Sequence, residues 1–132
     1  MARIDKINPV GGSFRAKLAW SPVAGEVGDV IAVSLDGNGR VVKAASAAAC
    51  KGVVCMDELL AIGDTVDVMK DGEIVDVAAS GDNITSPTAG ADLYAAAGGG
   101  FGAAPAAGAN GVLVGNFVEA WRLIVSVQRV QG

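Results

Sequence analysis

Apolar and polar residues alternate with a period of two through much of this chain, and the alternation constrains the fold more than any other feature. In "FRAKLAW" the residues at positions 14, 16, 18 and 20 are apolar, whereas Arg15 and Lys17 are basic. Successive side chains of a strand point to opposite faces, so this segment predicts a strand with one buried face. An amphipathic helix fits no window well, and "AASAAAC" at 44–50 allows one turn at most. The pattern predicts an all-β fold.

Turn signals divide the apolar segments into hairpins. "DGNG" separates two apolar runs and predicts a hairpin over 29–45. In "DTVDVMKDGEIVDVAA" the pair Asp71-Gly72 predicts the tight turn of a second hairpin. "GVVCM" at 52–56 predicts a short buried strand, and the Val-rich end of the chain predicts strands near 112–119 and 122–130. We expect seven to nine short strands in a single small β-barrel or sandwich.

A Gly and an Asp precede an apolar run at three places, in "GEVGDVIAV", "AIGDTVDVM" and, more loosely, "TAGADLYAA". Such a motif indicates either a ligand-binding site or a turn that leads into a strand. Gly28 and Gly63 lie where the chain must turn with unrestricted φ, and the Asp that follows each can accept hydrogen bonds from nearby amides. The spacing between the motifs differs, which indicates recurrent local chemistry rather than an internal repeat.

The chain length of 132 residues accommodates one domain with a modest core. We expect a flexible N-terminal arm over 1–13 and a β-barrel domain over 14–132. Within that domain, residues 95–111 consist mainly of Ala and Gly. They have little apolar area with which to offset their ordering entropy, so we expect a flexible loop there.

The charge and hydropathy of the chain limit the partners that we expect, among nucleic acids, acidic surfaces and membranes. The net charge of −4 makes a general nucleic-acid binder improbable. The basic residues of the first twenty positions either contact an acidic surface or belong to a solvated arm. The first residues show no apolar signal region, and the uncharged run at 93–118 is rich in Gly, so we expect a soluble protein without a membrane segment.

The residues that usually carry catalysis or bind metals are scarce. The chain contains no His, and no Ser or Cys stands in a nucleophile motif, so we expect no enzyme activity and no cofactor. In an extended "CKGVVC", Cys50 and Cys55 point to opposite faces, so we expect two reduced, apolar cysteines that bind no metal. Lys70 is the one candidate for a carrier-domain lysine, and it lacks the usual flanking residues.

Taken in order, "VAGEVGDVIAV", "CKGVVCMDELLAIGDTVDVMKDGEIVDV", "AGADLYAA" and "GVLVGNFVEAWRLIVSVQRV" resemble a family of small tailed-phage proteins that includes capsid decoration and minor head proteins. The resemblance covers about residues 23–130. It implies a β-barrel on the outer surface of the virion head that binds the major capsid protein and stabilises contacts between capsid subunits. It also implies a homo-oligomer, with a trimer favoured and a monomer possible.

Related decoration proteins reach the capsid lattice with N-terminal segments, so the resemblance implies a contact role for this arm. The candidate capsid-contacting residues are Arg3, Ile4, Lys6, Ile7 and Pro9. Phe101, a lone aromatic residue among glycines, is a candidate anchor of the Ala/Gly-rich loop on its own barrel or on a neighbouring subunit. The alternative function is a small binding or oligomerisation module in another part of the virion, such as the tail or an adhesin.

Overall fold

A computed structural model of the chain describes residues 2–7, 12–77, 83–84, 87–106 and 111–130. Within these ranges the chain is all-β, as the alternation predicts. Three short 3-10 turns, Ala24–Glu26, Ala47–Ala49 and Ala97–Gly99, interrupt the strands. The described strands are β1 Arg3–Ile7, β2 Phe14–Lys17, β3 Val30–Leu35, β4 Val41–Lys43, β5 Gly52–Cys55, β6 Thr65–Val68, β7 Asp71–Val75, β8 Asp92–Ala95, β9 Phe101–Gly102, β10 Gly111–Glu119 and β11 Arg122–Val130.

The strands form three antiparallel sheets in a sandwich-like arrangement. The largest sheet has six strands in the order β1-β7-β11-β10-β8-β9. The other two are a pair, β2-β6, and a three-stranded sheet, β4-β3-β5. Isolated bridges join the two small sheets, between Leu18 and Val41 and between Val53 and Met69. Of the two expected architectures, the sandwich therefore describes the molecule, and its eleven described strands exceed the predicted seven to nine.

Two hydrophobic cores explain why some strands alternate and others are continuously apolar. On β3, Val30 and Ala32 pack into the larger core beneath the six-stranded sheet. Ile31 and Val33 pack into a second core between the small sheets. A strand with apolar residues on both faces is covered on both faces. The alternating β2 segment instead contributes one face, through Phe14, Ala16, Leu18 and Trp20, to the second core.

The three Gly-Asp motifs are tight turns that lead into β3, β6 and β8. Asp29 N donates to Glu26 O, Asp64 N donates to Ala61 O, and Ala91 N donates to Thr88 O. The turn glycines Gly28, Gly63 and Gly90 have φ of 96°, 91° and 84°. Positive φ at the third residue, after a second residue whose φ is not positive, is typical of a type II turn. The turn interpretation of these motifs is confirmed, and the Asp64 carboxylate accepts a hydrogen bond from Ala61 N at 2.8 Å.

The predicted hairpin at 29–45 is confirmed by the antiparallel pairing of β3 with β4. The strands predicted near 112–119 and 122–130 are confirmed as β10 and β11, which pair with each other. The short buried strand predicted at 52–56 is β5.

The predicted hairpin with its turn at Asp71-Gly72 is wrong. β6 pairs with β2, whereas β7 belongs to the six-stranded sheet between β1 and β11. Ser13 Oγ accepts hydrogen bonds from the amides of Lys70 and Asp71 where the chain passes between the sheets. A Cβ on Gly72 would lie 2.2 Å from Lys6 O, so this glycine allows the close approach of β1 rather than a turn.

The expectation of a flexible arm needs correction at its first residues. Arg3–Ile7 form β1, which pairs with β7 at the edge of the six-stranded sheet. The segment is ordered because β7 supplies backbone partners that a sequence window cannot reveal. The Ala/Gly-rich loop is also partly structured, because it contains β9, which pairs with β8. Pro9 and residues 107–110 lie outside the described residues.

Candidate interaction surfaces

Strand β1 presents most of the predicted contact residues on an exposed sheet edge. Its outer edge has no strand partner among the described residues. The register with β7 shifts between Ile4 and Lys6, which marks a β-bulge. Bulges are common on edge strands, where they disturb a surface that another chain can pair with.

The basic residues of β1 are paired within their own chain. Arg3 Nε lies 2.8 Å from a carboxylate oxygen of Asp76, and Lys6 Nζ lies 3.9 Å from Glu73. Both basic side chains remain exposed, with relative areas of 58% and 74%. Exposed ion pairs contribute about 0–1 kcal/mol, so a partner that offers carboxylates can compete for these cations.

The apolar residues of β1 divide between core and surface. Ile4 packs against the larger core, whereas Ile7 is 38% exposed. Ala2 is fully buried, and its carbonyl accepts a hydrogen bond from Cys55 Sγ at 3.0 Å. The structure therefore leaves Arg3, Lys6 and Ile7 available to a partner and uses Ala2 and Ile4 to hold the strand.

A charged network beside β1 was not anticipated from the sequence. Arg122 Nε lies 2.6 Å from Glu119, and Arg122 Nη1 lies 3.4 Å from the buried Glu73. The hydrogen bond from Arg122 holds the pKa of Glu119 below its usual value. Glu73 and Arg122 are 49 residues apart in the chain. The sequence contains no pattern that reveals this ion pair, because the pair depends on which strands are neighbours in the sheet.

Phe101 contacts the core of its own domain. The side chain is half-buried and packs against the larger core. It also lines a surface groove of about 460 Å³, together with residues that include Ile84, Leu93 and Phe117. The role of Phe101 as a loop anchor, on its own fold or on a neighbouring subunit, stays a prediction.

Two loops expose apolar residues at the same end of the small sheets. One loop joins β2 to β3 and the other joins β5 to β6. They are tied together by hydrogen bonds from Gly63 N to Leu18 O and from Gly28 N to Met56 O, of 2.9 and 2.6 Å. The exposed residues are Val23, Leu59 and Ile62, at 61%, 58% and 56%. In the sequence, Val23, Leu59 and Ile62 are apolar residues close to Gly and charged residues. This pattern is the signal that could have identified them as exposed loop residues.

The described residues contain no group of three or more His, Cys, Asp or Glu side chains that could hold a metal ion. Cys50 is buried and Cys55 is half-buried, and neither forms a disulfide bond within the described residues. Burial raises the pKa of the Cys50 thiol. In the part of the chain that the structure describes, no helix has the length and hydropathy needed to cross a membrane.

The fold is similar to that of a solved protein from Mycobacterium phage Patience, with a TM-score of 0.78 and 20% sequence identity. The alignment covers 99% of this chain and 98% of that one. Comparison with protein-family models and with curated protein sequences found no match. The chain thus shares its fold, over almost its whole length, with a protein of a mycobacteriophage.

Proposed function

We propose that the chain is a structural protein of a phage virion that binds the outside of the assembled head. In this role it contacts the major capsid protein and stabilises contacts between capsid subunits. The observation that carries the proposal is the similarity of fold to a phage protein, which extends over 99% of this chain. The order of the sequence segments, which resembles small phage head proteins, supports the same assignment.

Strand β1 is the surface that we assign to the head contact. An exposed sheet edge can accept a further strand through backbone hydrogen bonds, while its side chains supply specificity. Arg3 and Lys6 provide exposed cations, and Ile7 provides an exposed apolar side chain. Many copies on one head offset a weak contact per copy, because binding at repeated sites adds avidity.

The test is binding to heads that have been prepared without the chain. Arg3→Gln with Lys6→Gln should weaken binding about tenfold at low salt, and less at high salt because exposed charges are screened within about 8–10 Å. The matched control is Arg15→Gln with Lys17→Gln on β2, where Arg15 forms a similar exposed pair with Asp67 at 2.8 Å. The control should bind as the original chain does.

Two results would count against the assignment. Equal binding by both double variants would remove β1 as the contact surface while leaving head binding intact. Binding to isolated tails in place of heads would overturn the head assignment and support the alternative, a module of the tail or an adhesin.

A further inference from the structure

The two small sheets have ends of opposite charge. Strands β5 and β6 lie side by side, linked by the bridge between Val53 and Met69, and the loop 56–64 joins them at one end. Lys51 precedes β5 and Lys70 follows β6, so both lie at the other end. The charge difference therefore runs along the strands.

The loop end combines exposed apolar side chains with acids that form no salt bridge among the described residues. Val23, Leu59 and Ile62 are each more than half exposed. Asp57, Glu58 and Asp64 are exposed as well, and none of them takes part in a salt bridge within the described residues. Exposed apolar groups with a polar rim are typical of a protein-binding surface.

The opposite end holds a small basic pocket of about 170 Å³. Its lining consists of Cys50, Lys51, Lys70, Val112, Val127, Gln128 and Arg129. The lining contains three cations and no carboxylate. None of these cations forms a salt bridge among the described residues, although Arg129 Nη2 donates to Ala48 O at 3.0 Å.

We propose that the loop end of one copy docks into the basic pocket of a second copy. Leu59 or Ile62 enters the pocket between Val112 and Val127, and the neighbouring acids meet the three cations. The pocket is large enough, since an apolar cavity of about 150 Å³ accommodates benzene. Charge complementarity favours a second copy as the partner, because Asp57, Glu58 and Asp64 lie beside the exposed apolar residues at one end and three cations line the pocket at the other.

Such a contact is heterologous, because each copy uses two different surfaces. Repetition closes into a ring if the rotation permits and otherwise continues as a chain. The contact is small compared with the roughly 1,200–2,000 Å² of stable complexes, so association should be weak and concentration-dependent. Such an association involves only copies of this chain and can be tested without heads.

The test is sedimentation velocity over a range of protein concentrations. The chain should associate, and two charge reversals should each make it monomeric: Lys51→Glu with Arg129→Glu in the pocket, and Asp57→Lys with Glu58→Lys at the loop end. An equimolar mixture of the two variants should associate again, because every contact between one variant and the other pairs opposite charges. Misfolding does not produce that recovery.

Two further variants separate charge from packing. Leu59→Ser with Ile62→Ser changes only exposed side chains and should weaken association at least tenfold with an unchanged melting temperature. Arg15→Glu changes the net charge at an exposed position on β2, outside the pocket and the loop end, and should leave association unchanged. A chain that stays monomeric up to millimolar concentration, or a mixture that fails to recover, would overturn the proposal.

Discussion

The thiol of Cys55 donates a hydrogen bond to the carbonyl of Ala2, with 3.0 Å between the sulfur and oxygen atoms. Ala2 is fully buried in the larger core. The start of the chain is therefore held by β5, on a different sheet from β7, the strand with which β1 pairs. An N-terminal segment that contributes a core residue and a strand is part of the domain rather than an appendage.

Deletion of residues 2–7 should destabilise the domain and uncover Cys55. The loss of the buried Ala2, of the Ile4 contact and of the β1 ladder should lower the melting temperature by several degrees. Cys55 should then react faster with a thiol reagent, whereas Cys50, which is buried and has a raised pKa, should remain slow. An unchanged melting temperature and unchanged Cys55 labelling would show that β1 is not docked in solution.

Asn83 should be a stabilising residue although it lies in a connecting segment. Its side-chain amide accepts a hydrogen bond from Val30 N at 2.9 Å and donates one to Val30 O at 2.8 Å. Val30 is fully buried, so Asn83→Ala leaves buried backbone groups without partners, at a cost of about 1–3 kcal/mol. Urea unfolding measures this loss. Asn116→Ala, at an exposed position on β10, is the control and should change the free energy of unfolding little.

Gly63 should tolerate a side chain less well than Gly37. No atom lies within 4 Å of a Cβ at either position, but Gly63 has φ of +91°. Left-handed backbone costs a non-glycine residue about 1–2 kcal/mol, so Gly63→Ala should destabilise the fold by about that amount. Gly37→Ala should stay within about 0.5 kcal/mol. Equal melting temperatures for the two variants would contradict the turn assignment at Gly63.

Glu26 should contribute to acid sensitivity. Burial raises the pKa of Glu26, but hydrogen bonds from Lys43 and from Val23 N, with the charge of Lys43, outweigh burial and leave the pKa below its ordinary 4.5. A carboxyl group with a lower pKa in the folded state stabilises the fold above its unfolded pKa, and this contribution is lost as the pH falls through the folded value.

Glu26→Gln removes this titration. Its effect can be measured by thermal unfolding between pH 7 and pH 3. The variant should be less stable than the original chain at pH 7, and the difference should shrink at pH values below about 4.5. A difference that stays constant over this range would show that the Lys43 interaction does not depend on the charge of Glu26.

The sequence predicts local features of this fold better than its strand partners. The turn at Gly63 and the hairpin at 29–45 follow from residues close together in the chain, and both are present. Asp71-Gly72 has the composition of a turn, yet Gly72 lies inside β7 because β1 approaches its backbone. Whether such a glycine lies in a turn or in a strand depends on partner strands that are far apart in the sequence. A local pattern of residues does not reveal these partners.

The same distinction applies to the candidate contact residues. The charge pattern identified Arg3 and Lys6, and both are exposed. Their partners Asp76 and Glu73 are about seventy residues away, so the sequence could not show that these cations are already paired. The loop end arises from the proximity of two separate loops, which is a property of the sheet arrangement rather than of either segment.

Cosedimentation of the purified chain with assembled heads that lack it tests the proposed function most directly. The account predicts saturable binding at a fixed number of copies per head and no binding to unassembled capsid protein, together with heads that withstand a higher temperature once decorated. Binding that never saturates, or no binding to heads at any concentration of the chain, would contradict it.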